Sequence, residues 1–115
     1  MRMRAGRCLF VLAVGAAYAW AQGPFVNFET PQIHPVDISP DRTTLAVCNP
    51  AAAQLELFDI TSGNPSPIGS VPVGYDPVSV RFRNNGEAWV VNHISDSVSV
   101  VDVPTRRVRA TIPTA

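Results

Sequence analysis

Lysine is absent from this sequence of 115 residues, so its nine basic residues are all arginine. They balance nine acidic residues to a formal net charge of zero. The first seven residues hold three arginines and no acid, which leaves six arginines against nine acids in the remainder. A mildly acidic chain offers no electrostatic attraction for nucleic acid or anionic lipid. The composition therefore predicts that neither is a partner.

The signatures of common catalytic and cofactor sites are also missing. The sequence contains no G-x-x-x-x-G-K phosphate loop and no G-x-G-x-x-G dinucleotide fingerprint. It contains no H-E-x-x-H zinc motif, no C-x-x-C-H haem attachment motif and no G-x-S-x-G nucleophile motif. The sequence therefore predicts no cofactor, no metal ligands and no catalytic residue, and the interpretation leans against an enzyme.

The first 21 residues have the pattern of an export signal. Arginines at positions 2, 4 and 7 precede an apolar run that starts at Cys8, and "AWA" at 19–21 has the form of a cleavage site. The apolar run is too short to span a bilayer comfortably. We predict cleavage between Ala21 and Gln22, a secreted, periplasmic or cell-surface location, and no stable membrane span afterwards. An uncleaved N-terminal anchor is the alternative.

Cleavage at that point leaves Cys48 as the single cysteine. A single cysteine cannot form an intramolecular disulfide. It lies in "LAVCN", among residues that favour β-strands, so we expect a buried small hydrophobic side chain rather than a reactive thiol.

The rest of the sequence contains a repeat with a period of 42 or 43 residues. "HPVDISPDRTTLAVCNPAAAQLELFDI" matches "DPVSVRFRNNGEAWVVNHISDSVSVVDV", so that Asn49 falls on Asn92 and Asp59 falls on Asp102. A period of about 40 residues made of short β-segments is typical of propeller blades. The predicted units are a lead-in segment over 22–33, a first blade over 34–75 and a second blade over 76–115.

Each copy of the repeat contains four predicted strands. In the first copy they cover 36–38, 44–49, 54–58 and 68–73. In the second copy, apolar residues at 78, 80 and 82 alternate with polar ones, which indicates a strand with one apolar face. "NNG" at 84–86 predicts a tight hairpin with positive φ. The apolar run over 88–92 predicts a strand covered on both faces. The alternation of serine and valine over 97–100 predicts the third strand, and 108–112 is the last. The predicted fold class is all-β, with blades of four antiparallel strands.

The residues of the second copy resemble the YVTN β-propeller repeat. Trp89-Val90-Val91-Asn92 stands at the position that names the family, and "SVSVVDVPTRRVRATIP" follows as in its blades. Ala46–Asn49 takes that position in the first copy, and "GYDP" and "SPDR" match the blade-opening and first-turn patterns. The glycine that the family has after "SPD" is Arg42 here. The resemblance covers about residues 34–115 and implies an incomplete propeller of about two blades after a signal peptide.

Two residues are candidate ligand-binding residues through this resemblance. His34 aligns with Asp76, and each precedes the proline that opens a copy of the repeat. In YVTN-like propellers this loop lies near one mouth of the central channel, where ligands often bind. The alternative is that both are solvated loop residues before a proline.

Four repeated polar residues are predicted to be structural. Asn49 and Asn92 each end a strand, and Asp59 and Asp102 each open a turn. Short polar side chains at these places bond to turn backbone. Their recurrence in both copies favours a structural role, because a catalytic residue rarely needs a copy in every blade.

Propellers have four to eight blades, so we expect this chain to be the N-terminal part of a longer propeller. Its partners are then the remaining blades and, beyond them, a protein or cell-surface partner. A short chain that assembles into a ring is the alternative. The resemblance implies an exported binding scaffold of unknown ligand. It leaves open a propeller module of an extracytoplasmic redox enzyme or cytochrome-associated protein, and a lactonase-like propeller hydrolase.

Overall fold

A computed structural model gives the fold of residues 31–115, which are the residues it describes. The predicted signal peptide over 1–21 and most of the lead-in segment over 22–33 lie outside them. All regular elements in the described part are β-strands: β1 (Val36–Ile38), β2 (Thr44–Asn49), β3 (Gln54–Asp59), β4 (Ser66–Pro72), β5 (Pro77–Asn84), β6 (Glu87–Asn92), β7 (Ser97–Asp102) and β8 (Arg107–Pro113). The prediction of an all-β fold is confirmed.

The strands form two antiparallel sheets of four, in the orders β1-β2-β3-β4 and β5-β6-β7-β8. Each strand pairs with its neighbour in the sequence, so each sheet is a run of hairpins. β-Branched and aromatic residues favour this extended backbone, and their alternation with polar residues assigns each side chain to one face. The two predicted sets of four antiparallel strands are therefore confirmed.

The turn after β1 contains a residue with positive φ that the sequence does not predict. Arg42, at the place of the family's glycine, has φ of 61°, in the left-handed region that favours glycine. Asp41 supports this turn, since its Oδ1 accepts hydrogen bonds from Ser39 Oγ at 2.7 Å and Thr43 N at 3.1 Å. The "NNG" hairpin at 84–86 differs from expectation, because none of its three residues has positive φ.

The core lies between the two sheets. One face of the first sheet, which we call its trailing face, contributes Ala46, Cys48, Leu55, Leu57 and Val71. The face of the second sheet that packs against it, which we call the leading face, contributes Val80, Ala88, Val90 and Val101. Most of these side chains have no exposed surface. Burial raises the pKa of the Cys48 thiol to about 12, so the thiol stays neutral in the core, as the sequence predicts for a buried cysteine.

The opposite face of each sheet is open. The leading face of the first sheet presents Val36 and Ile38, which are 43% and 48% exposed. The trailing face of the second sheet presents Trp89, Val91 and Ile112, which are 38%, 43% and 40% exposed. The apolar run over 88–92 was expected to be covered on both faces. In residues 31–115 only its leading face is covered, because no second sheet lies against Trp89 and Val91.

Polar contacts join the first strands of the two sheets. The backbone of His34 forms a parallel bridge with Ser79, and Val80 N donates a hydrogen bond of 2.9 Å to His34 O. In the adjacent β1, Asp37 Oδ2 accepts a hydrogen bond of 2.7 Å from Phe82 N. These contacts fix the register of one sheet on the other, and they place β1 and β2 against β5.

Candidate functional site

One end of the two sheets collects most of the candidate residues. β1 and β2 are antiparallel, so the start of β1 and the end of β2 lie together, and the same alternation continues along both sheets. The connections at 50–53, 73–76 and 93–96 and the segment before β1 therefore share one end, which we call the upper end. His34, Asp76, Asn49 and Asn92 lie at this end, whereas Asp59 and Asp102 lie at the other, lower end.

His34 lies at the boundary between the sheets. Its Nδ1 is 3.0 Å from the carbonyl oxygen of Val80, and its own carbonyl accepts from Val80 N. A neutral imidazole with the proton on Nδ1 donates this hydrogen bond. Both contacts are made to the second sheet, so His34 contributes to the attachment of one sheet to the other.

Asp76 is almost completely buried and adopts a left-handed φ of 57°. Its carbonyl accepts a hydrogen bond of 2.9 Å from His93 N, and its Oδ2 is 3.3 Å from His93 Nδ1. No hydrogen bond to either carboxylate oxygen is found among residues 31–115. A buried carboxylate is costly unless it is paired, so the nearby imidazole, which is about half exposed, is the group that can offset its charge when protonated.

Two exposed apolar residues flank this pair. Tyr75 and Ile94 are 69% and 58% exposed. The backbone N–H of Tyr75 donates a hydrogen bond of 2.7 Å to Ser95 Oγ, which joins the connection at 73–76 to the turn at 93–96. The sequence analysis did not select these residues. One feature of the sequence could have identified them, because each is an apolar residue inside a turn, where no strand pattern accounts for it.

The two repeated asparagines make different contacts. Asn49 Oδ1 accepts from Ala52 N at 3.3 Å, which is a bond to turn backbone. Asn92 Nδ2 instead donates to the hydroxyls of Ser97 and Ser99 at 3.2 and 2.9 Å. A Cβ placed on Gly74 would lie 2.7 Å from Asn92 Cγ, so glycine is required at position 74 for this close approach.

The two repeated aspartates hold turns at the lower end. Asp59 Oδ1 accepts from the backbone N–H of Thr61 at 2.8 Å and from its hydroxyl at 2.7 Å. These hydrogen bonds hold the pKa of Asp59 below its usual value, and the bond from the backbone N–H has the largest effect. Asp102 accepts hydrogen bonds from the Thr105 hydroxyl and from Arg109. Both bonds lower the pKa of Asp102, and the bond from Thr105 has the larger effect.

At the upper end, the structure does not bring the two predicted ligand-binding residues into one group. His34 bonds to Val80 and Asp76 lies beside His93, so the two predicted ligand-binding residues are held in separate contacts. In residues 31–115, no three histidine, cysteine or acidic side chains are grouped so that they could hold a metal ion. Within the same range, no helix has the length and apolar character needed to cross a membrane.

No family profile matches the chain, and no curated protein matches it. Solved structures do resemble it. Hydrazine synthase of Kuenenia stuttgartiensis aligns with a TM-score of 0.64 and 27% identity, over 82% of this chain and 26% of that chain. Hsv2 of Kluyveromyces lactis aligns with a TM-score of 0.53 and 13% identity, over 75% of this chain and 26% of that chain.

Both solved proteins are β-propellers, and this chain spans about a quarter of each. Two four-stranded antiparallel sheets packed face to face are what two neighbouring blades of a propeller look like. The fold is therefore that of about two β-propeller blades.

Proposed function

We propose that this chain is part of an exported β-propeller of the YVTN type that works as a non-enzymatic binding scaffold. The observation that carries the proposal is the exposed pair Tyr75 and Ile94, on two turns joined by the Tyr75 N to Ser95 Oγ bond. Binding residues concentrate on loops that a rigid scaffold holds in place. Exposed aromatic side chains also contribute strongly to binding interfaces.

The chemistry around this pair favours a peptide or protein-surface ligand. Tyr75 and Ile94 offer apolar contact, and the half-exposed imidazole of His93 lies in the same turn as Ile94. A ligand with an apolar side chain and a hydrogen-bonding backbone matches both. The partner in this proposal is a protein or cell-surface molecule, and the remaining blades of a longer chain complete the scaffold.

Binding at the upper end can be tested with a thermal-shift screen of peptides, metal ions and haem. We expect a peptide-type ligand whose affinity falls about tenfold in Tyr75→Ala, the effect of removing one well-placed aromatic contact. Ile68→Ala is a suitable control, since Ile68 is 38% exposed but lies in β4. A ligand that binds Tyr75→Ala and the unchanged chain equally would contradict the assignment of this surface.

A redox role is the second candidate, and one observation favours it. The solved structure that is 27% identical to this chain carries the name of an enzyme, hydrazine synthase. In this alternative the propeller is a module of an extracytoplasmic redox enzyme or of a cytochrome-associated protein. The same screen separates the two candidates, because a strong shift with haem or a metal ion that His34→Ala abolishes would favour the redox role.

Export is a separate part of the proposal and rests on residues 1–21, outside the described residues. We expect a periplasmic or secreted product that begins at Gln22, because cleavage signals place small residues just before the cut. N-terminal sequencing of the exported product tests this. Ala21→Arg is the matched variant and should leave an unprocessed chain that still carries Met1. A cytoplasmic product with an intact leader in the unchanged protein would refute export.

A further inference from the structure

One asparagine in the hairpin between β5 and β6 can undergo a reaction that ligand binding does not involve. Asn85 is followed by Gly86, and no other asparagine of the sequence precedes a glycine. The backbone nitrogen that follows an asparagine can attack the side-chain carbonyl, and glycine hinders this approach least because it has no Cβ. Asn85 is also exposed, so water can reach it. The pair at 85–86 is therefore the most reactive place of this kind in the chain.

The reaction replaces the side-chain amide by a carboxylate, with water as the only co-reactant. Gly86 N gives its proton to solvent and forms a bond to Asn85 Cγ, and the Cγ–Nδ2 bond breaks with release of ammonia. Water then opens the resulting cyclic imide. Cleavage between Gly86 N and Cγ gives aspartate, whereas cleavage between Gly86 N and the backbone carbonyl carbon of residue 85 gives isoaspartate. No atom is oxidised or reduced.

Two hydrogen bonds restrain this pair in the folded chain. Gly86 N, the attacking nitrogen, donates a hydrogen bond of 2.9 Å to Asn84 Oδ1. Asn85 Oδ1 accepts a hydrogen bond of 2.9 Å from Asp41 N, which holds the side chain towards the first sheet. Ring closure breaks the first bond and requires Asn85 Cγ to move onto Gly86 N. Both hydrogen bonds therefore oppose the reaction.

The bond from Asp41 also joins the two sheets at the lower end. Asp41 lies in the turn after β1, and Asn85 lies in the hairpin of the second sheet, 44 positions further along the chain. That hairpin has only residues 85 and 86 between the paired Asn84 and Glu87. Isoaspartate lengthens the main chain there by one methylene and draws the former side-chain carbonyl into the backbone. Conversion therefore displaces the oxygen that accepts from Asp41 N.

We propose that Asn85 is a site of spontaneous deamidation, which the folded chain suppresses through Asn84 and whose isoaspartyl product loosens the contact between the sheets at the lower end. The modification is separate from ligand binding at Tyr75, which lies at the upper end. It depends on the hairpin at 84–87 and on the turn after β1, and it does not rest on the proposed scaffold function.

Peptide mass mapping of the full chain during incubation at mildly alkaline pH tests the site. The mass change for replacing –NH2 by –OH should appear first at Asn85 and not at Asn92, which is buried and precedes a histidine. We expect slow conversion in the folded chain and fast conversion in urea, where both hydrogen bonds are lost. Asn85→Gln is the control that keeps an amide but removes the site, because glutamine forms the corresponding larger ring much more slowly.

Asn84→Ala separates the effect of the fold from that of the sequence motif. The variant frees Gly86 N but leaves the reacting pair unchanged. We expect it to convert about fivefold faster than the unchanged chain when folded, the factor that corresponds to one hydrogen bond of ordinary strength. In urea the two chains should convert at the same rate.

Hydrogen exchange measures the effect of conversion on the contact between the sheets. The isoaspartyl form can be separated from the unchanged chain by ion exchange, since it carries one more negative charge. Its Asp41 amide hydrogen should exchange faster than in the unchanged chain. The amide of Cys48, which donates a hydrogen bond of 2.8 Å to Pro35 O within the first sheet, is the matched control and should exchange as before.

The proposal fails on any of four results. Absence of conversion in urea would show that Asn85 is not a reactive site. Equal rates in the folded chain and in urea would show that the fold does not suppress the reaction. An unchanged rate in folded Asn84→Ala would remove the role of Asn84. Unchanged exchange at the Asp41 amide of the isoaspartyl form would remove the link to the contact between the sheets.

Discussion

Purified alone, residues 22–115 are expected to associate rather than to behave as a compact monomer. Both outer faces of the pair of sheets expose apolar side chains, Val36 and Ile38 on one and Trp89, Val91 and Ile112 on the other. Large apolar faces and open sheet edges favour contact with other chains. Size exclusion with light scattering, together with circular dichroism, should show β-structure in particles larger than a monomer.

Two variants locate that association. Replacing Trp89 and Val91 by serine removes apolar surface from the trailing face and should shift the chain toward the monomer. Ile94→Ser is the matched control, because Ile94 is 58% exposed at the upper end and belongs to neither open face. A compact monomer that melts cooperatively in the unchanged chain would contradict the interpretation that the sheets depend on further blades.

Leu55→Ala is expected to lower the free energy of unfolding by about 2–5 kcal/mol, the usual cost of a leucine truncated in a packed core. Leu55 has no exposed surface, and its neighbours in the cluster come from both sheets. The cavity therefore weakens the contact between the sheets as well as the first sheet itself. Urea unfolding at one fixed protein concentration measures the change.

Val98→Ala is the matched control for Leu55→Ala, because Val98 holds the equivalent position of the second sheet but lies on the open trailing face. We expect it to cost less than about 1 kcal/mol, since it removes partly solvated contacts. Equal costs for the two substitutions would mean that the sheets do not pack through the trailing face of the first.

The strands were predictable because alternation and repetition are both local signals. The ranges 36–38 and 44–49 agree with β1 and β2 to the residue. The burial of Cys48 followed from its apolar strand neighbours. These properties depend on side-chain period and β propensity, which a short stretch of sequence carries by itself.

Features that depend on packing or on contacts between separate parts of the chain were not predictable from the sequence in this way. The run over 88–92 is apolar on both faces, but only the packed arrangement reveals that Trp89 and Val91 lie uncovered. Arg42 gives no sign of its positive φ, since arginine has no preference for that region. The approach of His93 to Asp76 joins two connections that are 17 positions apart in the chain, and no local pattern encodes it.

The brevity of the connection at 73–76 has a consequence for how such a molecule arises. Four residues carry the chain from the outer strand of one sheet to the first strand of the next, with the His34 bridge aligning the two. Tandem duplication of one repeat in the gene can therefore add one four-stranded sheet at a time without changing the strand pairing of any existing hairpin. The fit of side chains between the last sheet and each added sheet then limits how far the chain can lengthen in evolution.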